Sequence, residues 1–288
     1  MKTDKKVMPV LVAVDGSKYG RWGVQWVARL PLARPPRVTA LHVVDLSPLA
    51  GLAVPPLIEA YAAQLEKHAR AIAEETTTLL SSLGVDGRAV VKHGQVAAII
   101  VREAKRGYRL LVVGHRGMTG LARFVIGSVA LHVVRSASCS VLVVKQVPRQ
   151  VFRILVAVDG SDASDRIVRF LTTELSPAAA SQAQSAEPAV EAVVHHVLPF
   201  MFKRDEAELA GREVVQHYGQ KLAKAGYRVM EEVTFGGPAE ELTAMAKRRK
   251  VNLIVAGAKG MGNVASFLLG SVATRLVERS HVSVLVVR

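Results

Sequence analysis

The chain repeats itself. Val12-Ala13-Val14-Asp15-Gly16-Ser17 recurs as Val156-Ala157-Val158-Asp159-Gly160-Ser161. Gly114 stands 99 residues beyond Asp15, and Gly257 stands 98 beyond Asp159. Each glycine follows an apolar run, Leu110–Val113 or Leu253–Ala256, and opens one spacing: G, two residues, G, nine residues, G-S. The positions are Gly114, Gly117, Gly127 and Ser128 in the first half, and Gly257, Gly260, Gly270 and Ser271 in the second. At an ordinary glycine frequency of about 7%, two motifs kept twice in register are not coincidence. Such a chain is a tandem duplication of one domain. The boundary falls between Lys145 and Gln150, giving domains of residues 1–147 and 148–288.

Each copy alternates strands and helices. Val10–Val14, Val38–Val44, Arg88–Lys92, Leu110–Val113 and Val141–Val144 are short, β-branched runs suited to strands buried on both faces. Helical stretches separate them: Tyr19–Leu30 with Ser17 as N-cap, Leu57–Leu83, Ala97–Arg106, and one opening at Ser128. The second half repeats the order with strands at Arg153–Val158, Val190–Val197, Tyr227–Val233, Asn252–Ala256 and Ser283–Val287. Strict alternation predicts an α/β fold: two tandem doubly wound domains, each a parallel sheet with helices on both faces. The halves differ in their connections. Asp15 to His42 is 27 residues and Asp159 to His196 is 37, the excess being the loop-like Ser176–Ala189. His42 to Gly114 is 72 residues and His196 to Gly257 is 61, which predicts a shorter third crossover in the second domain.

The glycines point to phosphate. A glycine directly after a buried strand lets the backbone turn and approach a ligand without a Cβ in the way, and spaced N–H groups make an anion-binding concavity. The G-S pair then opens a helix whose unsatisfied amides and positive dipole end favour phosphate. The loop Met118–Ile126 would wrap between these two sets of donors. Ligands of open α/β sheets lie beyond the carboxyl ends of the strands where strand order reverses, so Asp15 and Gly114 should share one crevice. Arg116 and Lys259 lie inside the glycine pairs, either beside phosphate or pointing to solvent. No Walker loop is present. Gly260-Met261-Gly262-Asn263-Val264-Ala265 imitates a dinucleotide fingerprint but follows a fourth strand rather than a first, and Gly117-Met118-Thr119-Gly120 lacks the pattern.

Composition narrows the function. The net charge is +14, with 20 Lys+Arg against 9 Asp+Glu in residues 1–147 and 18 against 15 in the remainder. A basic surface attracts polyanions, yet no aromatic platform or zinc-finger spacing accompanies it, so nucleic acid is not the expected partner. No apolar run reaches the roughly 20 residues of a membrane helix. The basic, apolar start is interrupted by Pro9, ended by Asp15 and duplicated internally, which argues for a strand rather than a targeting segment. A single cysteine, Cys139, favours a reducing, cytoplasmic setting.

The repeated Val-Asp-Gly-Ser and the G-2x-G-9x-G-S spacing resemble the universal stress protein family in its tandem form, over essentially the whole chain. The resemblance implies a five-stranded parallel sheet of order 3-2-1-4-5 in each half and a site for ATP, ADP or AMP. By the same resemblance Ala13, Asp15 and Val43 would surround adenine and ribose, and Gly114, Gly117, Gly127 and Ser128 would hold ribose and phosphates. Ala157, Asp159, Val197, Gly257, Gly260, Gly270 and Ser271 are the matching positions. It also implies that Val141–Val144 and Val284–Val287 pair inside one chain as a pseudo-twofold dimer, with a homodimer of chains as a further level. The chain departs from the family pattern in several places. Arg109 and Asn252 replace an Asp before the fourth strand, Gly94-Gln95-Val96 replaces Gly-x-Pro, and Ser140 and Val282 stand where Pro is common before the last strand.

No catalytic group is nominated. His42, His195 and His196 are expected to be packed, Ser17 and Ser161 lack the nucleophile elbow, and no metal-ligand spacing occurs. Mg²⁺ would enter only through nucleotide phosphates. The expectation is an adenine-nucleotide-binding stress-response or regulatory module. A slow ATP-hydrolysing or autophosphorylating enzyme, and a basic nucleic-acid-associated protein, are the alternatives. The covers differ, Leu46–Pro56 against Pro199–Glu206 with Phe200 and Phe202, so the two sites should bind unequally.

Overall fold

The computed structural model describes residues 6–47, 55–117, 126–148, 153–177, 190–200, 204–260 and 269–288. The first half runs β1 (Met8–Ala13), α1 (Lys18–Arg29), β2 (Pro36–Val44), α2 (Pro55–Ser82), β3 (Asp86–His93), α3 (Val96–Ala104), β4 (Leu110–Gly114), α4 (Ser128–Ser136) and β5 (Ser140–Val144). The second runs β6 (Arg153–Ala157), α5 (Asp162–Thr173), β7 (Glu191–Leu198), α6 (Arg204–Lys224), β8 (Arg228–Phe235), α7 (Pro238–Arg248), β9 (Leu253–Gly257), α8 (Ser271–Arg279) and β10 (Ser283–Val287). Each half is a five-stranded parallel α/β sheet, β3-β2-β1-β4-β5 and β8-β7-β6-β9-β10, which is the order 3-2-1-4-5 twice.

The short Val- and Leu-rich runs form the central strands because alternate side chains bury on opposite faces. Val10, Val12, Leu110 and Val112 pack on one face with Val24, Trp26 and Val27 of α1. Leu11, Leu111 and Val113 pack on the other with Ile99 and Ile100 of α3 and Val133 and Val134 of α4. The long crossover differs from expectation. The residues missing from the second half lie between the second and third strands, where α6 has 21 residues against 28 in α2. The third crossovers are alike, α3 and α7 each being a short helix. The interval from His196 to Gly257 spans both crossovers, so its length alone does not locate the deletion.

The two sheets join. β5 and β10 pair antiparallel, Val141 opposite Val286, Leu142 opposite Leu285 and Val143 opposite Val284, giving one ten-stranded sheet. The residues just past these strands reach across the seam in matching fashion. Lys145 donates its backbone N–H to Ser283 Oγ (3.1 Å) and its ammonium to the carbonyls of Ser280 (2.6 Å) and Leu276 (3.4 Å) at the end of α8. Arg288 donates its N–H to Ser140 Oγ (3.4 Å) and its guanidinium to the carbonyls of Val134 and Arg135 at the end of α4. Cations at helix carboxyl ends are favourable. Register matches Ser140 with Ser283 rather than with Val282, because Leu110 faces the one and Leu253 the other.

The departures at Arg109 and Asn252 also lie between the halves, whereas Gly94-Gln95-Val96 leads into α3. Arg109 donates to the buried carboxylate of Glu174, at the end of α5, through Nε at 3.0 Å, and Arg34 donates to its other oxygen. Asn252 accepts from the Arg153 N–H at 2.7 Å, and its carbonyl accepts from Gln146 Nε2 at 3.2 Å. Trp26 and Arg29 of α1 hold the carbonyls of Gln146 and Pro148 at 2.7 and 2.8 Å, so the connection between the halves is anchored as far as it is described.

Candidate functional site

A cleft opens in each half beyond the carboxyl ends of the first and fourth strands, which neighbour each other at the point where the chain turns from one side of the sheet to the other. Ala13, Asp15, Val43, Gly114, Gly117, Gly127 and Ser128 all line a cavity of about 320 Å³. Ala157, Asp159, Val197, Gly257, Gly260, Gly270 and Ser271 all line one of about 520 Å³. Both volumes suit a nucleotide-sized ligand. Most of the two covers, residues 48–54 and 201–203, lies outside the described residues, as do residues 118–125 and 261–268 and most of Ser176–Ala189.

The turn after the first strand is built alike in both halves. Gly16 (φ +80°) and Gly160 (φ +79°) take the left-handed conformation that lets the chain enter α1 and α5. Ser17 and Ser161 then cap those helices. The carboxylates are held by the same turn: Asp15 Oδ1 accepts from the Ser17 N–H at 3.0 Å, and Asp159 Oδ1 accepts from the Ser161 N–H at 3.1 Å. In the second half Ser164 Oγ also donates to Asp159 Oδ1 at 2.9 Å, where the first half has Gly20.

The glycines divide into two kinds. A Cβ on Gly114 or Gly257 would stand 2.7 Å from the Cβ of Tyr19 or Ala163, so these permit close approach of the helix after the first strand. A Cβ on Gly117 or Gly260 would stand 2.7 Å from Oδ2 of Asp15 or Asp159. Gly127 and Gly270 are different, because among the described residues a Cβ there would meet nothing closer than 3.5 and 3.4 Å. Packing against the described residues does not demand glycine at these two positions. They are the N-caps of α4 and α8 and supply no side-chain cap. The first intrahelical acceptors are the Gly127 and Gly270 carbonyls, taken by the Leu131 and Thr274 N–H groups at 3.0 and 2.9 Å. The amides of Ser128, Val129 and Ala130, residues that line the first cleft, therefore precede the helical ladder and have no acceptor within the helix. α3 and α7 likewise begin without a side-chain cap, at Val96 and Pro238 on the opposite rims.

The sequence model of the universal stress protein family matches residues 6–145 and, separately, 151–288. The chain belongs to that family. Two full-length relatives are a universal stress protein of Mycobacterium tuberculosis strain H37Rv, 29% identical with 100% of this chain and 99% of the relative covered, and one of Mycolicibacterium smegmatis, 27% identical with 97% and 96% covered. The crystal structure of a universal stress protein from Archaeoglobus fulgidus superposes with a TM-score of 0.72 at 19% identity, covering 97% of this chain and 96% of the other. It shares the two-domain fold.

In this universal stress protein the histidines are largely structural. His42 and His196 donate from Nδ1 to the carbonyls of Val14 and Val158 at 2.9 and 2.7 Å, tying the second strand of each half to the turn after the first. His115 packs edge-on against Tyr19 with ring centroids 4.5 Å apart. Burial, then the charges of Lys145 and Arg116, lowers its pKa to about 4, so it is neutral. Arg116 and Lys259 both line their clefts, which places them at the rims. Burial raises the Cys139 thiol to about 11, leaving an unreactive side chain. No helix among the described residues is long and apolar enough to cross a membrane, and no group of three metal-ligating side chains occurs among them. Sequence reasoning missed Tyr19 behind Gly114, and Ala163, Ser164 and His195, which line the second cleft. They lie on helix faces and a strand interior that no motif marks.

Proposed function

We propose that each half of this universal stress protein binds an adenine nucleotide, ATP with ADP and AMP as its relatives, and that the chain acts as a stress-response binding or regulatory module. The observation carrying this reading is the doubled cradle, an uncapped helix start at a glycine that no described residue crowds, on the same cleft as an Asp carboxylate. The walls fit the ligand end to end. Val43, Val96 and Ile100, or Val197, Pro238 and Leu242, offer an apolar slot for a base, and the G-S helix starts offer donors for phosphate. Asp15 and Asp159 stand between as acceptors for ribose hydroxyls. Mg²⁺ would ride on the phosphates. Within this proposal the domains are residues 1–147 and 148–288, the β5–β10 seam is an intramolecular pseudo-dimer, a homodimer of chains is a further level, and the setting is cytoplasmic.

Catalysis is not part of the reading, because His42, His195 and His196 are each engaged by a carbonyl or hydroxyl rather than poised over the phosphate end. Calorimetry tests the assignment. Gly127→Val and Gly270→Val should each abolish one site while the fold survives, and the double variant should bind no ATP. Binding by the double variant as tight as by the parent refutes it. Mass spectrometry of ligand released from the purified protein identifies the nucleotide, and a single-turnover assay separates binding from slow hydrolysis.

A further inference from the structure

The two clefts differ in chemistry at their floors. Leu41 of β2 pairs in register with Ala13 of β1, and His195 of β7 pairs with Ala157 of β6, so Leu41 and His195 are structural counterparts. Each is 1% exposed, and each lines its cleft. Leu41 presents hydrocarbon. His195 presents an imidazole whose Nε2 is 2.8 Å from Thr234 Oγ1 on the neighbouring β8. Its Nδ1 is shielded from solvent and meets no hydrogen-bond partner among the described residues. A buried ring nitrogen left in that state carries a desolvation penalty that a ligand can relieve.

The surroundings say what kind of ligand group this is. Burial first, then the charges of Arg248 and His196, lowers the His195 pKa to about 4. A neutral ring does not pair with phosphate as a cation would, and the amides proposed for phosphate lie elsewhere, at Gly260 and at the helix start from Ser271. His195 instead shares the floor with Ala157 and Val197, near Pro238 and Leu242. A single hydrogen-bonding nitrogen among apolar walls matches the edge of a heterocyclic base. Resting on the nucleotide reading above, we propose that His195 Nδ1 hydrogen-bonds the base of a purine nucleotide in the second cleft and gives that cleft a selectivity among purines that the first, floored by Leu41, lacks. When Nε2–H donates to Thr234, Nδ1 is an acceptor; when the Thr234 hydroxyl donates to Nε2, Nδ1–H is a donor.

The test uses the full chain with the first cleft closed by Gly127→Val and ATP, ITP and GTP as probes. Calorimetry should find that His195→Leu narrows the ratio between the best and worst of the three by about three- to tenfold, the worth of one net hydrogen bond. The same substitution in a Gly270→Val background should leave the first cleft unchanged. The ¹⁵N resonance of His195 Nδ1, read in the Gly127→Val protein without touching His195, should move on adding nucleotide and report which tautomer is present. That measurement also covers the case in which His195→Leu does not fold. Unchanged selectivity with an unmoved resonance overturns the assignment of His195 while nucleotide binding stands. Absence of binding to the open second cleft overturns both.

Discussion

Glu174 is the place where one buried charge ties the halves together, and it predicts an asymmetry. Its carboxylate side chain is 3% exposed, while its partners Arg34 and Arg109 are 32% and 55% exposed. Around it the backbones also meet: Ala33 N–H donates to the Glu174 carbonyl at 2.9 Å, and Ser176 N–H donates to the Pro31 carbonyl at 2.7 Å. Removing both guanidinium groups, in Arg34→Met with Arg109→Met, strands a carboxylate that water does not reach. Breaking a buried pair in that way costs about 3–5 kcal/mol. Removing the carboxylate instead, in Glu174→Gln, leaves two arginines that turn into solvent, so the loss is that of charge-assisted hydrogen bonds, about 1.5–3 kcal/mol. The cheaper variant is therefore the one that deletes the residue at the centre of the cluster. Urea unfolding of the full chain measures both. Trp22 and Trp26 are the only tryptophans and both lie in α1, so fluorescence follows the first half while far-ultraviolet circular dichroism follows the whole. Parent transitions should coincide by the two probes, and the double arginine variant should lose the larger share of stability. A cost below about 1 kcal/mol for that variant, the worth of an exposed ion pair, would refute the reasoning, as would a larger loss for Glu174→Gln.

Three further outcomes are expected. Leu142, 1% exposed and opposite Leu285, lies mid-seam, so Leu142→Lys should cost several kcal/mol and raise hydrogen exchange in β5 and β10 together; unchanged protection of both strands contradicts the seam. His115 and His195 both have folded pKa values lowered from 6.5 to about 4, chiefly by burial. Between those values the unfolded chain holds protons the folded one does not, so the contribution of these two histidines to stability is full above pH 6.5 and is lost as pH drops toward 4; urea midpoints across that window should fall less steeply in His195→Leu than in the parent. The two clefts, of about 320 and 520 Å³, should differ at least severalfold in ATP affinity, roughly 1 kcal/mol, when titrated one at a time in the Gly127→Val and Gly270→Val proteins; equal dissociation constants sink that expectation.

The fold was legible because its signals are local and doubled. Buried parallel strands announce themselves as short β-branched runs, and Ser17 and Ser161 mark helix starts by a chemistry that works at three-residue range. The cleft glycines were legible by spacing, and the structure adds which protein atom each one admits. What sequence did not reveal depends on partners far along the chain. The missing residues of the second half could be assigned to the wrong crossover because a count between two landmarks carries no information about the strand between them. Arg109 and Asn252 read only as departures from a family pattern. Their reason is Glu174, 65 residues away, and Arg153 and Gln146, 99 and 106 residues away. His195 is hidden for a related reason: a histidine in an apolar strand is usually a packed one, and only Thr234 on the next strand, engaging one nitrogen, exposes the other as unused.

Duplication has kept one part of the site and released another, and the division follows the physics. In the proposed reading the amides that follow Gly127 and Gly270 and the carboxylates of Asp15 and Asp159 would serve any phosphorylated ribose, and the contacts of those carboxylates repeat to the tenth of an ångström at Gly117 and Gly260. The side chains behind them do not repeat. Tyr19, stacked edge-on with His115 and Trp22, stands where the second half has Ala163, and Gly20 stands where it has Ser164. The bulk of Tyr19 fills space behind Gly114, whereas Ala163 leaves that space open beside Gly257, in the direction of the larger cavity of the second half. Ser164 spends a hydroxyl on Asp159 Oδ1, which fixes that carboxylate more tightly than Gly20 leaves Asp15. A phosphate cradle made of main chain tolerates such drift, because its donors do not depend on which side chains surround them. The walls and floor do, and there the two copies have become different sites on one frame.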